Sequence, residues 1–217
     1  MKIVVVFEKY LRELFLAGIY VLGILGIVAS GGGSSGGFDR VVGDTAKPPE
    51  FYFKASNAED GDLFARAVAL SGDGSTLAIG AWAEDGDGID EGDNSFDAAG
   101  AVYVFRRSVS ASGEVSWSQV AYVKAPAPAS GENFGYSVSL TEDGSRLAVG
   151  APDIGLATPG KVYVYIGPNY DTAPDEIIDP SATNGDRFGE AVALSEDGFR
   201  LAIGAPGDDN AAADAGA

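Results

Sequence analysis

The sequence predicts an all-β fold made of consecutive four-stranded antiparallel sheets, and three observations support it. A phenylalanine precedes a glycine by 16 residues in three copies, at 64–80, 134–150 and 188–204. In every copy Val and Leu alternate with small or polar residues ahead of an Asp-Gly pair. A short strand rich in valine and tyrosine follows two of the copies, at 101–105 and 161–165. Such self-similarity is typical of repeat architectures, in which each copy is one structural unit.

Each copy begins as a β-hairpin. The alternation before the Asp-Gly pair has the period of a strand, and a short apolar run follows that pair. Asp-Gly supplies the positive φ angles that tight hairpin turns require. The pairs are Asp73-Gly74, Asp143-Gly144 and Asp197-Gly198. The sequence therefore predicts two antiparallel strands at the start of every copy.

Two further strands complete the unit. The segments AVYVF (101–105) and KVYVY (161–165) are apolar on both faces, which is typical of strands buried on both sides. A fourth strand is predicted within WSQVAYVKAP (117–126). Four antiparallel strands followed by a loop form the blade of a β-propeller, whose apolar faces are covered by neighbouring blades. Because residues 51–64 align with 121–134, we expect a lone fourth strand there.

The ends of the unit resemble the FG-GAP repeat. Phe134-Gly135 with Gly150-Ala151-Pro152, and Phe188-Gly189 with Gly204-Ala205-Pro206, carry the two halves of its signature, while the first copy has Ala65 and Trp82 at two of those positions. The resemblance covers residues 51–217 and implies a β-propeller like that of integrin α-chains, used for adhesion or ligand binding. Related units carry a calcium loop of the form D-x-D-x-D-G-x-x-D, which the Asp-Gly turns of this chain lack. We expect the repeated Phe and Gly residues to serve packing and close backbone approach.

The chain is too short for a closed ring of blades. Successive copies begin 70 and 54 residues apart, whereas a propeller has about four to eight blades. The segment 214–217 parallels the approach to the third strand at 97–101. We therefore expect an incomplete propeller in a partial chain, which needs its remaining blades or other chains for closure.

The amino terminus predicts export. Three basic residues, Lys2, Lys9 and Arg12, precede an apolar run at 14–29, which is near the length of a signal-peptide core. Residues 1–30 are thus expected to form a helical signal peptide or, if it is not cleaved, a membrane anchor. Residues 31–50 are expected to be a flexible Gly/Ser-rich linker, and 51–217 the repeat domain.

Composition excludes several classes of function. The 14 basic and 32 acidic residues give a net charge of −18, which opposes binding to nucleic acid or anionic lipid. The sequence contains neither cysteine nor histidine, so disulfides, the common nucleophile–base pairs and the usual zinc ligands are all absent. No catalytic residue can be singled out, and the sequence predicts a protein that is not an enzyme.

The densest acidic segment is the candidate metal site. It lies at 84–94, inside an insertion that lengthens the first copy relative to the second. Its oxygen-bearing side chains are hard ligands of the kind that calcium prefers, and its glycines permit tight turns. The candidate ligands are Asp85, Asp87, Asp90, Glu91, Asp93 and Asn94. The alternative is an acidic loop that is only solvated; a shorter acidic segment, 207–210, follows the third copy.

Taken together, these features predict an exported or cell-surface module for binding or adhesion, with calcium as the candidate cofactor. Its expected partner is a protein or carbohydrate on a surface. Contact with a membrane is expected only through an uncleaved N-terminal segment. Two alternatives stay open: the propeller portion of a larger secreted hydrolase that uses paired carboxylates, and a truncated remnant with only a structural role.

Overall fold

The structure, a computed structural model, describes residues 50–57, 59–86, 93–155, 158–177 and 182–208. Within these ranges the chain forms β-strands and no helix, which confirms the predicted all-β class. The strands are β1 (Phe64–Leu70), β2 (Thr76–Ala81), β3 (Ala101–Val109), β4 (Val115–Val123), β5 (Ser137–Leu140), β6 (Arg146–Ala151), β7 (Lys161–Ile166), β8 (Asp175–Ile177), β9 (Ala191–Leu194) and β10 (Leu201–Gly204).

The strands assemble into blades. Two sheets have four strands each, in the orders β1-β2-β3-β4 and β5-β6-β7-β8, and β9 pairs with β10 in a third sheet. All pairs are antiparallel, and the register is the same in the two full blades: Ile79 lies opposite Tyr103 as Val149 lies opposite Tyr163. The predicted hairpins and third strands are confirmed, and the fourth strand predicted within 117–126 is formed at 115–123.

The Asp-Gly turns have a common geometry. In the second blade the Asp143 carboxylate accepts hydrogen bonds from the Ser145 N–H and the Thr141 hydroxyl, both at 2.9 Å. These bonds hold the pKa of Asp143 below its usual range. Gly144 follows with φ of +66°, a conformation that glycine adopts without steric cost. Turns of successive blades are also joined, because the Asp73 N–H donates to the Glu142 carbonyl at 2.8 Å.

The core lies in the middle strands of the blades. Residues 76–81 and 101–105 are buried, as are 162–165, and this confirms that the third strands are covered on both faces. Phe134 is fully buried against Tyr163, with ring centroids 5.5 Å apart, and bridges to Gly100 of the preceding blade. The predicted packing role of this phenylalanine is confirmed.

Glycines carry the contact between blades. The Gly135 N–H donates to the Gly150 carbonyl of its own blade at 3.1 Å, while its own carbonyl lies against Gly80 of the preceding blade. A Cβ on Gly80 would stand 2.0 Å from that carbonyl oxygen. Gly150 meets the carbonyl of Gly189 in the same way. The predicted close backbone approach is therefore confirmed, and it joins each blade to the next.

The first copy follows this geometry despite its different sequence. Ala65 occupies the place of Gly135 and Gly189, and its φ of +73° lies in the left-handed region with theirs. An L-residue with a Cβ is disfavoured there by roughly 1–2 kcal/mol. The first copy therefore keeps the backbone conformation of the repeat even though alanine disfavours it.

One predicted strand is wrong. The expected lone fourth strand in 51–64 is not formed, because β1 begins only at Phe64 and residues 50–57 and 59–63 lie outside any strand. The aligned segment at 121–123 is a strand because β3 pairs with it, as in Val102 opposite Val123. The sheets of the described part of the chain include no strand from residues 50–57.

The N-terminal predictions fall elsewhere. The signal or anchor helix at 1–30, most of the linker at 31–50 and the segment 214–217 lie outside the described residues. Across the described ranges, no helix has the length and apolar character needed to cross a membrane.

Candidate functional site

The predicted cation loop connects β2 to β3. Among its candidate ligands, Asp85, Asp93 and Asn94 are described, and the other three lie outside the described residues. These three are Asp87, Asp90 and Glu91. Asp85 accepts a hydrogen bond from the Ala98 N–H at 2.7 Å, and the Asn94 amide donates to Glu59 at 2.8 Å. Asp85 is thus bonded within its own loop, and Asn94 is bonded to the segment that precedes β1.

The carboxylate of Asp93 is also engaged, since it accepts a hydrogen bond from the Ser95 hydroxyl at 2.6 Å. In the ranges that the structure describes, no group of three or more acidic side chains is arranged to hold a metal ion. Calcium binding at this loop therefore stays a prediction. In the shorter segment 207–210, Asp208 is buried and Asp209 and Asn210 lie outside the described residues.

A lysine occupies the base of the loop. The Lys124 ammonium, which directly follows β4, donates to the carbonyl oxygens of Asp85 at 2.5 Å and Gly86 at 3.0 Å. It also reaches the Glu84 carbonyl at 3.4 Å. An ammonium has three donors, and here they converge on three consecutive carbonyls. Lys124 therefore ties the start of the loop to the fourth strand of the same blade.

A buried carboxylate lies beside this lysine. Glu84 is only 3% exposed and accepts hydrogen bonds from the Asn57 amide at 2.6 Å, the Tyr103 hydroxyl at 3.1 Å and the Tyr122 hydroxyl at 3.3 Å. Burial raises the pKa of Glu84, and the nearby charge of Asp62 adds to the rise. The donors come from separate strands and from the segment before β1. Glu84 therefore fixes the start of the loop to the blade.

In the second blade a carboxylate at a different position of the repeat binds the buried tyrosine. The carbonyls of Asp62 and Glu132 both accept an N–H from the loop after β2 or β6, from Ala83 and Asp153 respectively, so these positions are equivalent. Ile154 then falls where the first blade has Glu84. The Tyr163 hydroxyl donates instead to Glu132, at 2.6 Å, and burial raises the pKa of that carboxyl. A buried tyrosine–carboxylate pair is thus present in both full blades.

These buried acids were not predicted, although one signal for them is visible in the sequence. An acidic residue stands two positions before the repeated phenylalanine in every copy, and all three are buried. They are Asp62, Glu132 and Asp186. Asp186 accepts hydrogen bonds from the N–H and the hydroxyl of Thr183 at 2.7 and 2.8 Å. Asp62 likewise accepts the Glu59 N–H at 2.7 Å, so Asp62 and Asp186 both order the loop that leads into their blade.

One solved structure to which the chain is similar is that of the periplasmic gluconolactonase PpgL of Pseudomonas aeruginosa. The two proteins are 20% identical, with a TM-score of 0.42, and the match covers 76% of this chain and 42% of that chain. This chain therefore spans less than half the length of that protein. No curated protein matches the chain in sequence.

This comparison corrects one prediction. The sequence predicted a protein that is not an enzyme, whereas the similar solved structure is that of a gluconolactonase, which is an enzyme. The absence of histidine and cysteine removes some catalytic groups, but carboxylates remain and can act as acids and bases. The prediction of a non-catalytic protein is therefore withdrawn. The likeness transfers no activity to this chain, because activity belongs to particular sites.

The family of the chain follows from its repeats. The FG-GAP repeat matches three segments, residues 52–105, 117–165 and 175–217. Each segment contains one of the three Phe-to-Gly copies and the first strands of one blade, while the fourth strands β4 and β8 lie at the start of the next segment. The chain belongs to the FG-GAP repeat family.

Proposed function

We propose that the chain is an exported binding or adhesion module that presents the loop between β2 and β3 to a partner on a surface. The observation that carries this proposal is the construction of the loop base. Lys124 holds the first carbonyls of the loop, and the Asp85 carboxylate holds Ala98 at its other end. A long insertion on a rigid base is a common way to build a recognition surface.

Charge and length further support this loop as the binding surface. Twenty residues separate Gly80 from Gly100, whereas ten separate Gly150 from Gly160, so the first blade carries an insertion that the second lacks. The net charge of −18 favours a partner that is basic or that binds through cations. We infer a protein or carbohydrate partner, with no role for nucleic acid.

Export is the second part of the proposal. The basic residues Lys2, Lys9 and Arg12, followed by the apolar run at 14–29, support a signal or anchor segment. Fractionation of the producing cells tests this part, since recovery of the chain only with soluble cytoplasmic proteins would contradict it.

Exchanging residues 87–94 for a Gly/Ser sequence of equal length is expected to weaken surface binding at least about tenfold, since the base contacts would remain while the recognition side chains are lost. Binding is measured as retention of the labelled, purified chain on intact cells and on a panel of immobilised glycans. The same exchange also removes most of the candidate calcium ligands. We therefore expect calcium binding, measured by calorimetric titration, to be lost in the variant.

The matched control exchanges residues 110–114, the connection between β3 and β4 at the other end of the first blade. That variant should bind like the unaltered chain, with both variants unfolding at the same temperature as the parent. Equal surface binding by the 87–94 variant and the parent would contradict the proposal that this loop carries recognition. Calcium binding that survives the 87–94 exchange would place the ion elsewhere.

A further inference from the structure

A groove lies between the first strands of the three blades. It has a volume of about 680 Å³ and is lined by equivalent positions of the repeat, at 66–68, 136–138 and 190–192, with 204–206 closing one side. The second and third residues of each set are small or β-branched, apart from the Ser137 hydroxyl, which donates to the Gly189 carbonyl at 2.8 Å. Volumes of this size are typical of sites for small ligands. The groove therefore has a mainly apolar floor built by three blades.

The first residue of each set gives the groove its polar character. These residues are Arg66, Tyr136 and Glu190, which come from β1, from the residue just before β5 and from the residue just before β9. The Arg66 guanidinium donates to the Tyr136 hydroxyl at 3.2 Å, and its central carbon lies 4.8 Å from the centre of the tyrosine ring. Trp82 packs edge-on against the same ring at 5.7 Å. Arg66 is thus oriented by an aromatic neighbour that is itself packed.

Arg66 has no acidic partner in the part of the chain that the structure describes. Among the described residues Arg66 makes no ion pair, although the chain has 32 acidic and 14 basic residues. Glu190, the acid of the groove, is instead paired with Arg187 at 3.1 Å. This ion pair offsets part of the negative charge of Glu190 in the groove. An oriented guanidinium with free donors matches the planar geometry of a carboxylate.

We propose that this groove binds a carboxylate-bearing ligand, with the carboxylate on Arg66 and the rest of the ligand on the apolar floor formed by Val68, Val138 and Val192. Two sources present the same chemistry: a sugar acid, or the acidic side chain of a peptide. The site is separate from the loop at 84–97 and goes beyond the proposed surface binding. Tyr136 acts in it as a positioning residue for Arg66.

The test is calorimetric titration of the full chain with two probes, glucuronate and the blocked tripeptide acetyl-Ala-Asp-Ala-amide. The neutral controls are glucose and acetyl-Ala-Asn-Ala-amide. We expect saturable binding of one acidic probe and none of its neutral analogue, and the probe that binds identifies the source. Arg66→Gln should weaken that binding by about tenfold or more, because a charge-assisted bidentate contact is lost.

Two further variants separate positioning from general damage. Tyr136→Phe removes the hydroxyl that holds Arg66 and should weaken binding by a few fold. Arg200→Gln removes an exposed arginine from the Asp-Gly turn of the third blade and should leave binding unchanged. Arg66 is exposed, so its variant should unfold at the same temperature as the parent.

Three results would overturn the proposal: no saturable binding of either acidic probe, equal binding of the neutral analogues, or equal binding by Arg66→Gln and the parent. The chain with residues 87–94 exchanged should still bind the acidic probe. That variant distinguishes failure of the groove from failure of the loop, since each experiment changes only one of the two surfaces.

Discussion

Replacing Gly150 by alanine is expected to lower the free energy of unfolding by about 3 kcal/mol or more, the upper range for overpacking a tight contact. The added Cβ would stand 2.0 Å from the carbonyl oxygen of Gly189 and 2.3 Å from the hydroxyl of Ser137. A backbone carbonyl cannot swing aside as the end of a flexible side chain does. The second and third blades must therefore separate or distort. Urea denaturation followed by circular dichroism measures the loss.

The third copy supplies the matched control. Gly204 holds the same position in the repeat, but the nearest described atom to a Cβ there is the Ala191 Cβ at 3.4 Å, which is ordinary contact. Gly204→Ala is therefore expected to change the free energy of unfolding by less than about 1 kcal/mol. Equal destabilisation by the two substitutions would show that the cost arises from the strand and not from the contact between blades.

Replacing Glu84 by alanine is also expected to lower the free energy of unfolding by a large amount. Glu84 accepts hydrogen bonds from Asn57 and from two tyrosine hydroxyls, Tyr103 and Tyr122, in a buried site. Removal of the carboxylate takes this acceptor from the Asn57 amide and the Tyr122 hydroxyl, while the Tyr103 hydroxyl keeps the side-chain oxygen of Asn57 as acceptor. The expected cost is about 3 kcal/mol. Because the carboxylate fixes the start of the loop, limited proteolysis within 84–97 should also become faster. Denaturation and proteolysis together measure both effects.

Glu114→Ala, which removes an exposed acid from the turn between β3 and β4, is the control and should be within about 0.5 kcal/mol of the parent. If Glu84→Ala unfolds like Glu114→Ala, the buried network does not stabilise the blade.

The pH dependence of stability gives an independent check on Glu84. Its pKa is raised above the usual 4.5, first by burial and then by the charge of Asp62, so the folded state holds the proton more tightly than the unfolded state. The resulting stabilisation is present at low pH and is lost as pH rises through the folded pKa. Glu84→Gln removes this titration, so as pH rises above the ordinary glutamate value of 4.5 its stability should fall less than that of the parent. Parallel curves for the two proteins would contradict the raised pKa.

Much of the fold was predictable because repetition makes local signals reinforce one another. Asp143-Gly144 alone is a weak turn signal, but its recurrence at the same offset from Phe134 and Gly150 identifies the hairpin and its two strands. The valine–tyrosine segment at 161–165 was correctly predicted to be a buried strand for the same reason. The failure at 51–64 has a different origin, because a strand also needs a neighbour and sequence similarity to 121–134 does not supply one.

The candidate site was harder to predict. The loop base depends on Asn57, Glu84, Tyr103, Tyr122 and Lys124, which meet only when four segments fold together. No spacing in the sequence connects them. The candidate calcium ligands were chosen because the loop is rich in acidic residues. Such a composition gives the charge of the loop but does not give the directions of its side chains. The acid two residues before each phenylalanine was the one part of this face that the repeat alone could have revealed.

The most direct test of the account is amide hydrogen exchange on the intact chain, because its central claim is that successive repeats pack as neighbouring blades. The Asp73 and Glu142 amides should be protected, since they donate to the carbonyls of Glu142 and Glu196 in the following blades at 2.8 and 3.1 Å. The account predicts protection close to that of the buried strand β6. Exchange of both amides at unprotected rates, with β6 still protected, would show blades that fold without docking and would contradict the account.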